Sequence, residues 1–98
     1  MKPLSETLST SLMEDGSDAN LKEWIAFIIE NKIALTDHIQ LIYAEHPIAM
    51  RFSWMLGGLC EKAPEFVAPV VPYLFAQRHD IEIPHFNRSL AKYFNHCG

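Results

Sequence analysis

Residues 46–77 read HPIAMRFSWMLGGLCEKAPEFVAPVVPYLFAQ, and their pattern decides the fold. Pro47 suits a first helical turn, because its φ is fixed near the helical value and its missing N–H would have no partner there. Ile48, Phe52, Met55, Leu56 and Leu59 then recur at spacings of four, three, one and three, the signature of a 3.6-residue period. Ala49, Met50, Trp54 and Cys60 widen the apolar stripe well past one face. A helix apolar on most of its surface is expected between neighbours on several sides. Gly57-Gly58 sits in its middle, where each glycine costs roughly 0.8–1 kcal/mol relative to alanine. Close approach of another backbone is the expected compensation, with a kink as the alternative.

The second half opens on Pro64-Glu65, a proline and an acid in a first turn, where the helix dipole favours negative charge. Val67, Val70, Val71 and Leu74 carry the period, with Phe66 and Phe75 beside them. Pro69 and Pro72 interrupt it. An interior proline removes one backbone hydrogen bond and clashes with the carbonyl four residues back. The expectation is a two-piece helix, irregular over residues 65–71 and regular toward Gln77.

Outward from this pair, Ser17 or Asp18 caps a helix to about Asn31 with Leu21, Trp24, Ile25, Ile28 and Ile29 inward. Trp24 is expected in the core. Thr36 is expected to cap a shorter helix to about Glu45, with Ile39, Ile42 and Tyr43 inward. Arg78-His79-Asp80 is a polar link, and Pro84 starts a last helix carrying Phe86, Leu90, Tyr93, Phe94 and Cys97 on one face and ending at Gly98. Residues 1–16 hold Leu4, Leu8 and Leu12 at a spacing of four amid Ser, Thr and acids, which predicts a weak helix or a polar tail. Residues 17–98 form the predicted single domain. Strand signals are confined to Ile81-Glu82-Ile83, too short to pair and followed by proline. The fold class expected is all-α: antiparallel hairpins of about five helices.

The 98 residues are 49% hydrophobic and 20% charged, ordinary for one globular unit. The charge is uneven. Residues 1–46 hold eight acids and three bases, net −5, while residues 47–98 hold four acids and five bases, net +1. An overall charge of −4 disfavours general electrostatic binding to nucleic acid or acidic lipid. No apolar run reaches the roughly 18 residues of a membrane span. The polar first 16 residues lack a signal-peptide core, so a cytoplasmic location is expected and the sequon Asn87-Arg88-Ser89 carries no weight. Cys60 and Cys97 fall within apolar stripes and read as buried thiols.

An internal echo runs through the second half. Pro47, Arg51 and Cys60 recur as Pro84, Arg88 and Cys97, each shifted by 37 residues, a period of the size found in helical repeats. A proline-started helix with an arginine four residues on, then Trp54-x-Leu56-Gly57-x-Leu59, then a proline-started partner ending in Leu74-Phe75, resembles a HEAT repeat of the ARM/HEAT class. The resemblance is clearest over residues 46–77 and continues into residues 84–97. It implies a right-handed α-α superhelix of stacked hairpins whose exposed faces bind other macromolecules, with no cofactor and no active site.

Catalytic and metal patterns are thin. His79 and His85 stand six apart across a loop, and no C-x-x-C, H-x-x-x-H or H-E-x-x-H occurs, so the histidines read as surface residues. Gly57-Gly58 lacks the preceding strand and following Lys-Ser/Thr of a phosphate loop. What remains is a surface. Met50, Arg51, Trp54, Phe86, Arg88, Tyr93 and Phe94 form the candidate partner-binding set, in residue types enriched at interfaces. Arg51 and Arg88 invite either a small cationic ladder or hydrogen bonds to helix carboxyl ends. The last helix carries three aromatics, so a longer array, a homodimer through residues 86–97, or complete folding onto the core would each cover it. The expected function is a non-enzymatic scaffold for another protein. The alternative is a HEAT-like nucleic-acid enzyme resembling the alkylpurine DNA glycosylases, which would need a basic, aromatic-lined groove.

Overall fold

A computed structural model describes residues 4–83 and 86–97 of the chain. The described residues are helical, with short links and no strand. The expected start of the last helix at Pro84, the histidine at 85 and the terminal Gly98 lie outside them, as does the side chain of Cys97.

The first helix, α1 (Leu4–Glu14), buries Leu8 and Leu12. Of the two readings of this segment the helix forms, and its leucine spacing puts both side chains on one face. α2 (Asp18–Asn31) starts where Ser17, in extended geometry, accepts a hydrogen bond from the Asn20 N–H at 3.2 Å. That bond satisfies one of the orphan donors of a first turn. It ends at Lys32, whose left-handed φ of 51° closes the helix back onto Ile28 and Ile29. Leu21, Ile25 and Ile28 face the core, as their spacing predicts.

Residues 36–45 depart from the expectation. They form two 3₁₀ turns, Leu35–Asp37 and Ile39–Tyr43, instead of one α-helix. Thr36 lies inside the first turn and caps nothing; Ala34 occupies the cap position without a side-chain bond. Leu35, Leu41 and Ile42 are buried, while Tyr43 is exposed. The i, i+3 winding of a 3₁₀ turn places its inward residues differently from an α-helix, and short runs are its usual length.

α3 (Ile48–Lys62) follows a cis His46–Pro47 bond and buries nine of its fifteen residues. It packs against α1, α2, the second 3₁₀ turn, the helical piece Pro64–Val67 and the last helix Phe86–Cys97, the many-sided burial its broad stripe predicts. The glycine pair is explained by side chains and not by another backbone. A Cβ on Gly58 would stand 2.6 Å from Ile25 Cδ1, and one on Gly57 would stand 3.6 Å from Lys92 Nζ. α2 therefore nests over Gly58.

The next rod is broken as predicted: α4 (Pro64–Val67), a 3₁₀ turn (Ala68–Val70) and α5 (Val71–Ala76). Pro64, Pro69 and Pro72 each sit in the first turn of their own piece, the one helical position that tolerates the missing N–H. After a link whose Ile81 and Ile83 are buried, α6 (Phe86–Cys97) packs on α3, α4 and α5. With α4 and α5 taken as one rod the described residues hold five α-helical units, α1 standing where residues 36–45 were expected.

Candidate partner-binding surface

The sequence-predicted set divides between core and surface. Phe86 and Tyr93 are buried, 4% and 0% exposed. The Tyr93 hydroxyl donates to the Ser53 carbonyl at 2.9 Å and joins α6 to α3. The Phe86 and Tyr93 rings meet edge to face, 6.4 Å apart. These two side chains are core of the monomer. The last helix thus folds Phe86 and Tyr93 inward and leaves Phe94 outward, so it is not folded completely onto the core.

Arg51 is half-buried, and its Nη1 donates to the Leu12 and Met13 carbonyls at 2.7 and 3.1 Å. The cation therefore holds the carboxyl end of α1, where the helix dipole favours it. Gly16 makes room for it, since a Cβ there would overlap the guanidinium. Arg88 is exposed on α6. The two arginines stand in different surroundings and make no ladder through shared contacts.

Trp54 is half exposed, at 50%, on the helix that is otherwise the most enclosed. Met50, one turn earlier, is half-buried against the core. Trp24 is likewise half-buried and not enclosed in the core as expected. Its Nε1 donates to Ser11 Oγ at 2.8 Å, which gives the indole N–H the partner it requires. Asn20 Nδ2 donates to the same hydroxyl and to the Asp15 carbonyl, and Ser5 bonds His38, so α1 is tied down at both ends.

Two further surface features draw on residues outside the predicted set, the first joining Phe75 and Arg78 to the predicted Phe94. Phe75 and Phe94 pack edge to face at 5.4 Å, yet remain 45% and 41% exposed. The Arg78 guanidinium lies over the Phe75 ring, 4.1 Å from its centroid, and its Nη1 donates to the Phe75 carbonyl at 2.7 Å. Between α1 and α2 a shallow cleft is lined by Ser11, Asn20, Glu23, Trp24 and Phe27. The Trp24 and Phe27 rings meet edge to face at 5.5 Å, with Phe27 41% exposed. The signal for both was present. Phe27 falls between the inward positions of α2, and Phe75 directly follows Leu74, roughly 100° round the helix from the stripe.

The charges have structural employment. Lys92 pairs with Glu61 at 2.9 Å and holds that carboxyl below its usual range. Hydrogen bonds from Ser17 do the same for Asp15. Partial burial of its hydroxyl and the hydrogen bond it shares with the Tyr73 hydroxyl push Tyr43 up to about 12. Among the described residues no group of three His, Cys, Asp or Glu is placed to hold a metal ion. Cys60 is buried. The features that face solvent with chemistry to offer are aromatic rings with cations and carboxylates at their edges.

No protein-family model, curated protein or solved structure matches this chain. Among the described residues no helix is long and apolar enough to cross a membrane.

Proposed function

We propose that the chain is a non-enzymatic protein–protein interaction module, a short HEAT-like stack of helical hairpins wound as a right-handed α-α superhelix and working in the cytoplasm. The observation that carries the reading is Trp54. It is half exposed on a central helix whose other large apolar side chains are mostly buried. Exposed tryptophan beside methionine, on a rigid helix, is the composition of a binding hot spot, because such rings bury much area at little entropic cost. Two features support the hairpin stack. The Gly58 notch lets α2 nest closely on α3, and Arg51 joins α3 to the carboxyl end of α1. The partner is another protein, since a net charge of −4 opposes the phosphate contacts that dominate nucleic-acid affinity.

A photo-crosslinking residue placed at position 54 in the native host tests this. A discrete protein adduct from position 54, absent from the same probe at exposed Glu30, is the expected result. Equal, diffuse labelling from both positions would remove the reading. Salt-sensitive, saturable gel shifts with short DNA would favour the nucleic-acid alternative instead.

A further inference from the structure

We propose that the chain associates head to tail with a second copy of itself, the Phe75–Phe94 ridge of one copy seating in the Trp24–Phe27 cleft of the next. This rests on the interaction-module reading and names one occupant for surfaces that reading leaves open.

Placement comes first. Gly58 of α3 takes Ile25 of α2, and Gly57 faces Lys92 of α6. Neighbouring helix positions lie roughly 100° apart, so α2 and α6 flank α3 on different sides. Trp24 and Phe27 sit on α2, whereas Phe94 sits on α6 and Phe75 on α5, which packs on α6, so pairing the cleft with the ridge calls for two molecules.

Chemistry comes second. The ridge is cationic: two rings in edge contact, exposed by more than two-fifths each, with the Arg78 guanidinium pinned over Phe75 by its bond to the Phe75 carbonyl. The cleft is concave and anionic: an aromatic wall of Trp24 and Phe27, with exposed Glu23 in its lining. Phe94 against Trp24 and Phe27 would bury the rings on both sides. Arg78 against Glu23 would supply the charge-assisted pair at the edge.

Charge then selects the arrangement. Ridge against ridge opposes Arg78 to Arg78, and cleft against cleft opposes Glu23 to Glu23; both two-fold pairings set like charges together. Ridge against cleft sets unlike charges together, and it also brings the half of the chain with net −5 toward the half with net +1. A single ridge-in-cleft contact is heterologous, the kind that extends into chains or closes into rings.

Sedimentation velocity of the full chain across a wide concentration range, at low and at physiological salt, is the test. The wild type is expected to show a sedimentation coefficient that climbs with concentration and climbs less as salt rises. Phe94→Asp and Phe27→Asp should each raise the dissociation constant by about tenfold or more, as loss of an aromatic anchor does. Mixing the two leaves one intact ridge and one intact cleft, so the mixture should form dimers and nothing larger. Arg78→Glu mixed with Glu23→Arg should likewise restore pairing lost in each alone. Both charge reversals replace surface side chains, and unchanged circular dichroism will show that the fold persists. A wild type that stays monomeric throughout, or mixtures in which neither pair recovers, would overturn the proposal. A monomer that still gives the Trp54 adduct would remove the self-association alone and leave the interaction module standing.

Discussion

Arg51 and Arg88 occupy equivalent places in the 37-residue echo, and the molecule uses them in opposite ways. Arg51 is half-buried, donates to two carbonyls of α1 and has a glycine cleared for it. Arg88 stands in solvent on α6. The helices that carry them differ in the same sense. α3 is enclosed by neighbours on several sides; α6 is enclosed along Phe86, Leu90 and Tyr93 and open at Arg88 and Phe94. A residue's place on its helix sets which way it can point, but the neighbouring element decides what it meets.

The contrast can be broken most forcefully inside α3. Phe52→Ala removes a fully buried ring and should cost about 3–5 kcal/mol in denaturant unfolding, through lost transfer energy and the cavity left behind. Phe94→Ala on α6 takes away a ring that is 41% exposed and should cost well under half as much. Equal costs would mean that the two helices are equally enclosed.

The arginines come next. Arg51→Ala leaves two carbonyls at the end of α1 without their cation, and hydrogen bonds to charged groups are worth about 1.5–3 kcal/mol. The loss should appear in the global midpoint and as faster hydrogen exchange confined to α1. Arg88→Ala should fall within about 0.5 kcal/mol of wild type, as exposed substitutions do. Matching effects at the two positions would restore the ladder that the echo invited.

The glycine pair sharpens the comparison between the two flanks of α3. Gly57→Ala meets only ordinary contact with Lys92 at 3.6 Å, so it should stabilise by up to about 1 kcal/mol through helix propensity. Gly58→Ala drives a methyl to 2.6 Å from Ile25 Cδ1, and overpacking of that kind costs about 1–3 kcal/mol. The Gly58 variant should therefore melt below the Gly57 variant. The reverse order would deny that α2 nests over Gly58.

The smallest effect belongs to the pair that ties α6 to α3 at the surface. Lys92 lowers the pKa of Glu61 in the folded chain. Its stabilisation is thus present above the ordinary glutamate pKa and is lost as pH falls through the lowered one. The gap in denaturant midpoint between wild type and Glu61→Gln should narrow as pH drops through that range, and added salt should shrink it at neutral pH. A gap that widens in acid would contradict the ion pair.

Features fixed by chemistry within a few residues were legible in the sequence. Pro64, Pro69 and Pro72 broke the rod where their missing N–H groups demanded it, and Ser17 capped α2 through its own oxygen. Residues 36–45 were not legible at that level. Their apolar spacing allows an α-helix, and the choice of two 3₁₀ turns depends on how Leu35, Leu41 and Ile42 meet the core. Leu8 and Leu12 announced a helix but not that it would be held by Ser5, Ser11 and Arg51. The candidate surface divided for the same reason. Phe86, Tyr93 and Phe94 read as one apolar helix face, and only tertiary contact sends the first two inward and leaves the third beside Phe75.

Native-state hydrogen exchange measured residue by residue tests the central claim, that α3 is the enclosed hub against which α1, α2, α4 and α6 are laid. The account predicts that the amides of residues 52–60 exchange slowest in the molecule and only through global unfolding, with α1 and the exposed side of α6 opening earlier. Exchange in α3 as fast as in α1, through local opening, would contradict it.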